Sequence, residues 1–191
     1  MVFGLRRKKQ QDRKIADSLY NRIVEASRQP VFFARLGVPD TLDGRFEMLS
    51  LHMFIALNRL IESGASETAL ARTVMESFVR DMDAALRDMG VSDIRVPKRM
   101  KTLYGSFGGR IAGYRLAASD GGEALHAALA RNIFSDGGDP DNVVGLADYT
   151  LAALGLAGRF TIDDLRAGRI EFPEAARFCS LERGMGEKPD A

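Results

Sequence analysis

The segment Phe46 to Ile61 constrains the fold of this chain most, because it is the most apolar stretch and carries its hydrophobic residues at helical spacing. Glu47, Ser50, His52, Asn58 and Arg59 interrupt it, so it falls short of the roughly 20 consecutive apolar residues that a membrane span requires. It is a central core helix around which other helices must pack, running through Phe46, Leu49, Met53, Leu57 and Leu60 to Gly64. Every other strongly periodic segment has the same period, and no alternating run bounded by hairpin signals occurs. The expected fold is all-α, a single compact helical domain of about six or seven helices.

The expected elements follow from capping and breaking residues. A first helix covers Ile15 to Ser27 and stops before Pro30; Val31, Phe32, Phe33 and Leu36 form a short apolar segment. Thr41 or Asp43 caps the central helix, and Ser66 caps a third that places Leu70, Val74, Phe78, Met82 and Leu86 inward and ends at Gly90. Pro97 suits the start of a fourth. Asp120-Gly121-Gly122 breaks it, Glu123 to Phe134 is the fifth, Asn142 to Leu156 the sixth, and Thr161-Ile162-Asp163-Asp164 opens a short seventh that closes at Gly168. Residues 1–12 form a basic N-terminal arm, 13–172 the helical domain, and 173–191 a polar flexible tail.

Charge is concentrated on the fourth long helix. From Arg95 to Arg115 there are six cations (Arg95, Lys98, Arg99, Lys101, Arg110, Arg115) and no acid, although the formal charge of the whole chain is only +1. Helical projection puts Met100, Leu103, Tyr104, Phe107, Ile111, Tyr114 and Ala118 on a core-facing side and Gly105, Gly109, Ala112 and Gly113 opposite, with cations on the flanks. Each interior glycine costs about 1 kcal/mol against alanine, and close approach of another backbone is the usual offset. The candidate partner- or client-binding residues are therefore Lys98, Arg99, Lys101, Gly105, Gly109, Arg110, Gly113 and Arg115. The competing reading is that Gly108 and Gly109 break the segment into two short helices with solvated cations.

No set of residues supports catalysis. Asp81, Asp83 and Asp88 resemble half of a magnesium-binding cluster, but Arg80 and Arg87 lie among them as ion-pair partners and no second acidic cluster faces them. The loop Asp136-x-x-Asp139-x-Asp141 lacks the glycine and glutamate of a calcium loop; capping by Asp139 or Asp141 explains it better. His52 and His126 stand apart, and Cys179 is the one cysteine, so neither a metal cluster nor an internal disulfide is expected, a usage compatible with a reducing compartment. Arg45, His52, Arg59, Asp81 and Asp83 are candidate polar contacts, with His52 and Arg59 on one helix face and His52 directed at the Asp81 region or satisfied in the core. No cofactor is implied.

The arm combines an apolar tip, Phe3 and Leu5, with Arg6, Arg7, Lys8 and Lys9. Such a composition suits an anionic membrane surface, and it also suits a solvated tail. No aromatic residues are interleaved with these charges as nucleic-acid stacking would require, and no secretory signal follows them.

The residues Gly37-Val38-Pro39-Asp40-Thr41, Gly44-Arg45-Phe46-Glu47, Leu51-His52 and Arg59-Leu60 resemble the ubiquinol-cytochrome c chaperones. The likeness continues through Asp81-Met82-Asp83, Leu86-Arg87, Gly90-Val91, Asp93, Val96, Lys98, Met100-Lys101, Phe107, Gly109-Arg110 and Tyr114. Ser92 and Gly108 depart from the commoner form, which has glycine and an aromatic there. The short N-terminus resembles a bacterial member. The resemblance implies a non-catalytic chaperone that binds newly synthesised cytochrome b during assembly of the ubiquinol-cytochrome c reductase complex. It also implies a small helical assembly partner, a ribosome contact and a place on the cytoplasmic side of the membrane. An RNA- or ribosome-binding helical module, with no role for DNA, is the alternative use of the same cations.

Overall fold

The computed structural model describes residues 2–135 and 137–179, without the side chains of residues 2–6, 8, 9 and 65–67. Among the described residues there are eight α-helices, one 3-10 turn and no strand, as the periodicity predicts. Six helices are long: α1 (Val2–Ser27), α3 (Leu42–Glu62), α4 (Ala65–Asp88), α5 (Val96–Asp120), α6 (Gly122–Ile133) and α7 (Pro140–Gly158). Two are single turns, α2 (Pro30–Ala34) and α8 (Ile162–Arg166), and the 3-10 turn is Ala175–Phe178. None of the described helices is long and apolar enough to cross a membrane.

The hub is α3, which touches α1, α4, α5, α6 and α7. Its buried residues go all round the helix: every position from Glu47 to Leu57 is buried. Thr41 caps it, its hydroxyl oxygen accepting from the Gly44 N–H at 3.1 Å. Gly44 is required, since a Cβ there would lie 2.0 Å from the Pro39 carbonyl oxygen. α1 presents Ala16, Leu19, Tyr20, Ile23 and Ala26 to the core, and it is riveted to α4 by polar bonds. Ser77 Oγ and Arg80 Nη2 both donate to Asp17 Oδ1, at 2.8 and 2.9 Å.

Several boundaries differ from the expectation. α1 begins at Val2, so the residues of the arm continue the first helix. α2 is a helical turn because Pro30 supplies a preset φ at its first position and Phe32 is fully buried. Ser66 lies inside α4, which starts after Gly64 with no side-chain cap. Ordered packing continues past Pro173: the Gln29 carboxamide donates to the Pro173 carbonyl at 3.4 Å and accepts from the Ala175 N–H at 3.1 Å. Ala175 and Cys179 are consequently core residues, which corrects a tail starting at Pro173; residues 180–191 lie outside the described residues, as does Asp136.

α5 is one continuous helix through Gly108 and Gly109. Phe107 stacks on Phe78 of α4 with ring centroids 4.6 Å apart, and Tyr114 packs on Phe54 of α3 at 5.8 Å. We expect Phe107→Ala to cost roughly 3 to 5 kcal/mol, because the ring is buried and its loss leaves Phe78 facing a cavity. Urea denaturation followed by circular dichroism measures it.

Candidate docking surface on α5

Two faces of α5 have opposite chemistry. Inward, Val96, Phe107, Tyr114 and Ala117 are buried. Outward, Lys98, Arg99, Lys101, Gly105, Gly108, Gly109 and Arg115 are exposed and Gly113 is half-buried. A Cβ added at Gly105, Gly108, Gly109 or Gly113 would meet no atom within 4 Å. These four glycines therefore relieve no contact among the described residues. Among the described residues, Lys98, Arg99, Lys101 and Arg115 have no carboxylate partner.

Arg110 is the exception among the predicted docking cations. Its guanidinium turns inward and grips the Glu47 carboxylate of α3 through Nε and Nη2, while Nη1 donates to the Ser106 carbonyl at 3.2 Å. It also lies 5.8 Å from the Phe46 ring centre. Burial pushes the Glu47 carboxyl above its ordinary range, and the Arg110 bonds offset this in part. Arg110 locks α5 onto α3 and is removed from the docking set. Tyr104, expected inward, is 54% exposed and joins the outer surface with Leu116.

The candidate polar contacts do not converge; each has a separate partner. Tyr20 Oη donates to Asp81 at 2.7 Å, and Arg87 Nε donates to Asp83 at 2.7 Å. Arg45 pairs with Asp40 at 2.7 Å and lies over the Phe33 ring at 5.0 Å. Arg59 holds the carbonyl of Phe160 just after α7, with Nη2 at 2.6 Å and Nε at 3.1 Å.

His52 is fully buried and bonds within the core, away from Asp81. Its Nδ1 lies 2.8 Å from the Met48 carbonyl, which can only accept, so Nδ1 carries the proton. Nε2 then accepts from Tyr149 Oη at 2.7 Å. Burial lowers the imidazole pKa to about 4. No group of metal-ligating side chains forms among the described residues. Asp139 caps α7 by accepting from the Asp141 N–H at 2.9 Å, the role expected of that loop. Of the arm, Arg7 is exposed; the side chains of Phe3, Leu5, Arg6, Lys8 and Lys9 lie outside the described residues.

A family model for the ubiquinol-cytochrome C chaperone matches residues 34–172, a span that includes α3, α4, α5 and the Glu47–Arg110 pair. The chain belongs to that family. Its similarity to the ubiquinol-cytochrome-c reductase complex assembly factor 1 of Xenopus laevis is 26% identity over 132 residues, 69% of this chain and 66% of that one. For the human protein of the same name it is 29% over 132 residues, 69% of this chain and 44% of that one. The chain thus spans between 44% and 66% of the length of these relatives. The crystal structure of the Cbp3 homolog from Brucella abortus has the same fold, with a TM-score of 0.81 and 38% identity, covering 93% of this chain and 99% of that one.

Two outcomes follow for this ubiquinol-cytochrome C chaperone domain. Arg110→Ala should cost about 3 kcal/mol, since it strands a buried carboxylate, whereas Arg115→Ala should stay within about 0.5 kcal/mol; denaturant titration separates them. Acidification has a defined sign at His52. The unfolded imidazole takes up a proton below about pH 6.5 and the folded one only near pH 4, so this contribution is intact above pH 6.5 and is lost as pH falls toward 4. The loss reaches roughly 3 kcal/mol, and NMR should find the neutral Nδ1–H tautomer throughout that window.

Proposed function

We propose that the protein is a non-catalytic chaperone that assists assembly of the ubiquinol-cytochrome c reductase complex by holding newly synthesised cytochrome b on the outer face of α5. The relatives named as assembly factors of that complex support the process. The glycine face of α5 is the observation that carries the site. Four glycines within a long helix cost it stability, roughly 1 kcal/mol each, and nothing among the described residues requires them. A segment of a partner approaching the α5 backbone would make use of that space. Lys98, Arg99, Lys101 and Arg115 would select acidic or carbonyl-rich edges and set the docking direction.

The same reading includes a small helical assembly partner, contact with the ribosome through part of this cationic surface, and a station on the inner face of the cytoplasmic membrane. The basic arm of Phe3, Leu5, Arg6, Arg7, Lys8 and Lys9 would supply a peripheral lipid contact. No cofactor enters the reading.

The decisive experiment pairs thermal melting with co-purification of cytochrome b. Gly109→Leu should melt at or above the wild-type temperature, because its side chain enters open space and a glycine leaves a helix. It should nevertheless capture less cytochrome b. Lys98→Glu with Lys101→Glu should do the same by charge reversal. Normal capture by a folded Gly109→Leu protein would refute the α5 site.

A further inference from the structure

The connection between α4 and α5 holds out a large aliphatic side chain. α4 ends in a Schellman arrangement in which the Gly90 N–H donates to Arg87 O at 2.9 Å and the Val91 N–H to Leu86 O at 3.0 Å. Gly90 adopts φ +80°, the left-handed conformation such an end requires. The chain then turns at once, the Arg95 N–H donating to Ser92 O at 2.8 Å, which places Asp93 and Ile94 at the apex. Arg87 clamps Asp93 from the last turn of α4. Ile94 is therefore displayed from a turn fixed on both sides, and it is 92% exposed, when no other large hydrophobic residue described exceeds 63%. Met89, at the end of α4 and 49% exposed, is the other exposed large hydrophobic of this connection.

The surroundings of this tip are cationic. Arg95, Lys98, Arg99 and Lys101 are all exposed just behind it, and Asp93, the acid nearest the apex, is already paired with Arg87. These cations crowd the start of α5, which has no acid in its first turn and no side-chain cap. Positive charge there opposes the helix dipole, an unfavourable arrangement that an external anionic surface would relieve. An aliphatic tip with a collar of Lys and Arg is complementary to a bilayer interface with anionic headgroups, which offers acyl chains to the first and phosphates to the second. An RNA backbone would satisfy the collar alone and leave Ile94 in water.

We infer that the α4–α5 turn is a membrane-contact point, with Ile94 and Met89 entering the interface of an anionic bilayer and Arg95, Lys98 and Arg99 engaging its phosphates. It rests on the reading that the chain works at a membrane, and it adds a second contact to the N-terminal arm. α1 and α4 run in the same direction, as the Ser77–Asp17 and Tyr20–Asp81 bonds show, so the turn and the start of α1 lie toward opposite ends of this pair and the turn is a separate contact.

The sequence contains no tryptophan, so full-length Ile94→Trp carries a fluorophore that reports on this turn alone. Its emission should shift to the blue on adding mixed phosphatidylglycerol and phosphatidylcholine vesicles and be quenched by brominated acyl chains, with no shift in pure phosphatidylcholine. Adding Lys98→Glu and Arg99→Glu should weaken the vesicle affinity at least about tenfold. In sedimentation with the same vesicles, Ile94→Asp should bind several-fold less than the wild type while melting at the same temperature. An unshifted emission under conditions where the protein sediments, or equal sedimentation of Ile94→Asp and wild type, overturns the inference and leaves lipid binding to the arm. A shift produced by RNA and not by vesicles also overturns it. Lys98 and Arg99 belong to both surfaces, so the two readings are separated by Ile94→Asp, which should lose vesicle binding and keep cytochrome b capture in detergent, and by Gly109→Leu, which should do the reverse.

Discussion

A helix buried on every side carries polar groups that cost stability unless they are partnered, and α3 satisfies three of them across helix boundaries, Ser50 Oγ being buried without a partner among the described residues. Glu47 takes the guanidinium of Arg110 from α5, His52 takes the hydroxyl of Tyr149 from α7, and Arg59 takes the Phe160 carbonyl at the end of α7. Apolar packing alone would let neighbouring helices slide by a turn at modest cost. These bonds set the register, because a one-turn slip would leave a carboxylate or an imidazole without a partner in a poorly solvated interior. The aromatic contacts of Phe107 and Tyr114 then fall into place on Phe78 and Phe54.

The inner face of α5 is what frees its outer face for other use. Because Phe107, Tyr114 and the Arg110–Glu47 pair anchor the helix, the opposite side can consist of glycines and unpaired cations and still belong to a stable body. Stability and the proposed recognition are divided between two faces of one element, so substitutions on the outer face separate folding from binding.

Much of this was legible in the sequence, and the failures share a cause. The helical period revealed the all-α class, the buried Phe107 and Tyr114, and the exposure of the glycine row, since these depend on spacing within one element. Capping by Thr41 and by Asp139, each one of two candidates, was legible for the same reason, as was the start of a short helix at Thr161. Arg110 was misplaced because helical projection gives angles about an axis but not the residue waiting on the facing helix, and Glu47 is 63 positions away. Tyr104 sits at the margin of the apolar stripe, where the neighbours decide which way a ring faces. The order beyond Pro173 was hidden because it hangs on the carboxamide of Gln29, one side chain in a distant polar stretch. Ile94 was invisible as an exposed residue, since a turn's apex is set by hydrogen bonds that the sequence does not display.

The bonds from Gln29 to Pro173 and Ala175, with that from Ser18 to Gly168, also bear on how the chain is made. They join the first two helices to the end of the described chain, across separations of 144 to 150 residues. Contacts this distant raise contact order and slow folding relative to a bundle of sequential hairpins. During synthesis α1 and α2 emerge well before the segments that complete their packing. The core surface around Phe32 on α2 stays incomplete until the 3-10 turn has been made, so apolar surface is exposed for much of the chain's translation.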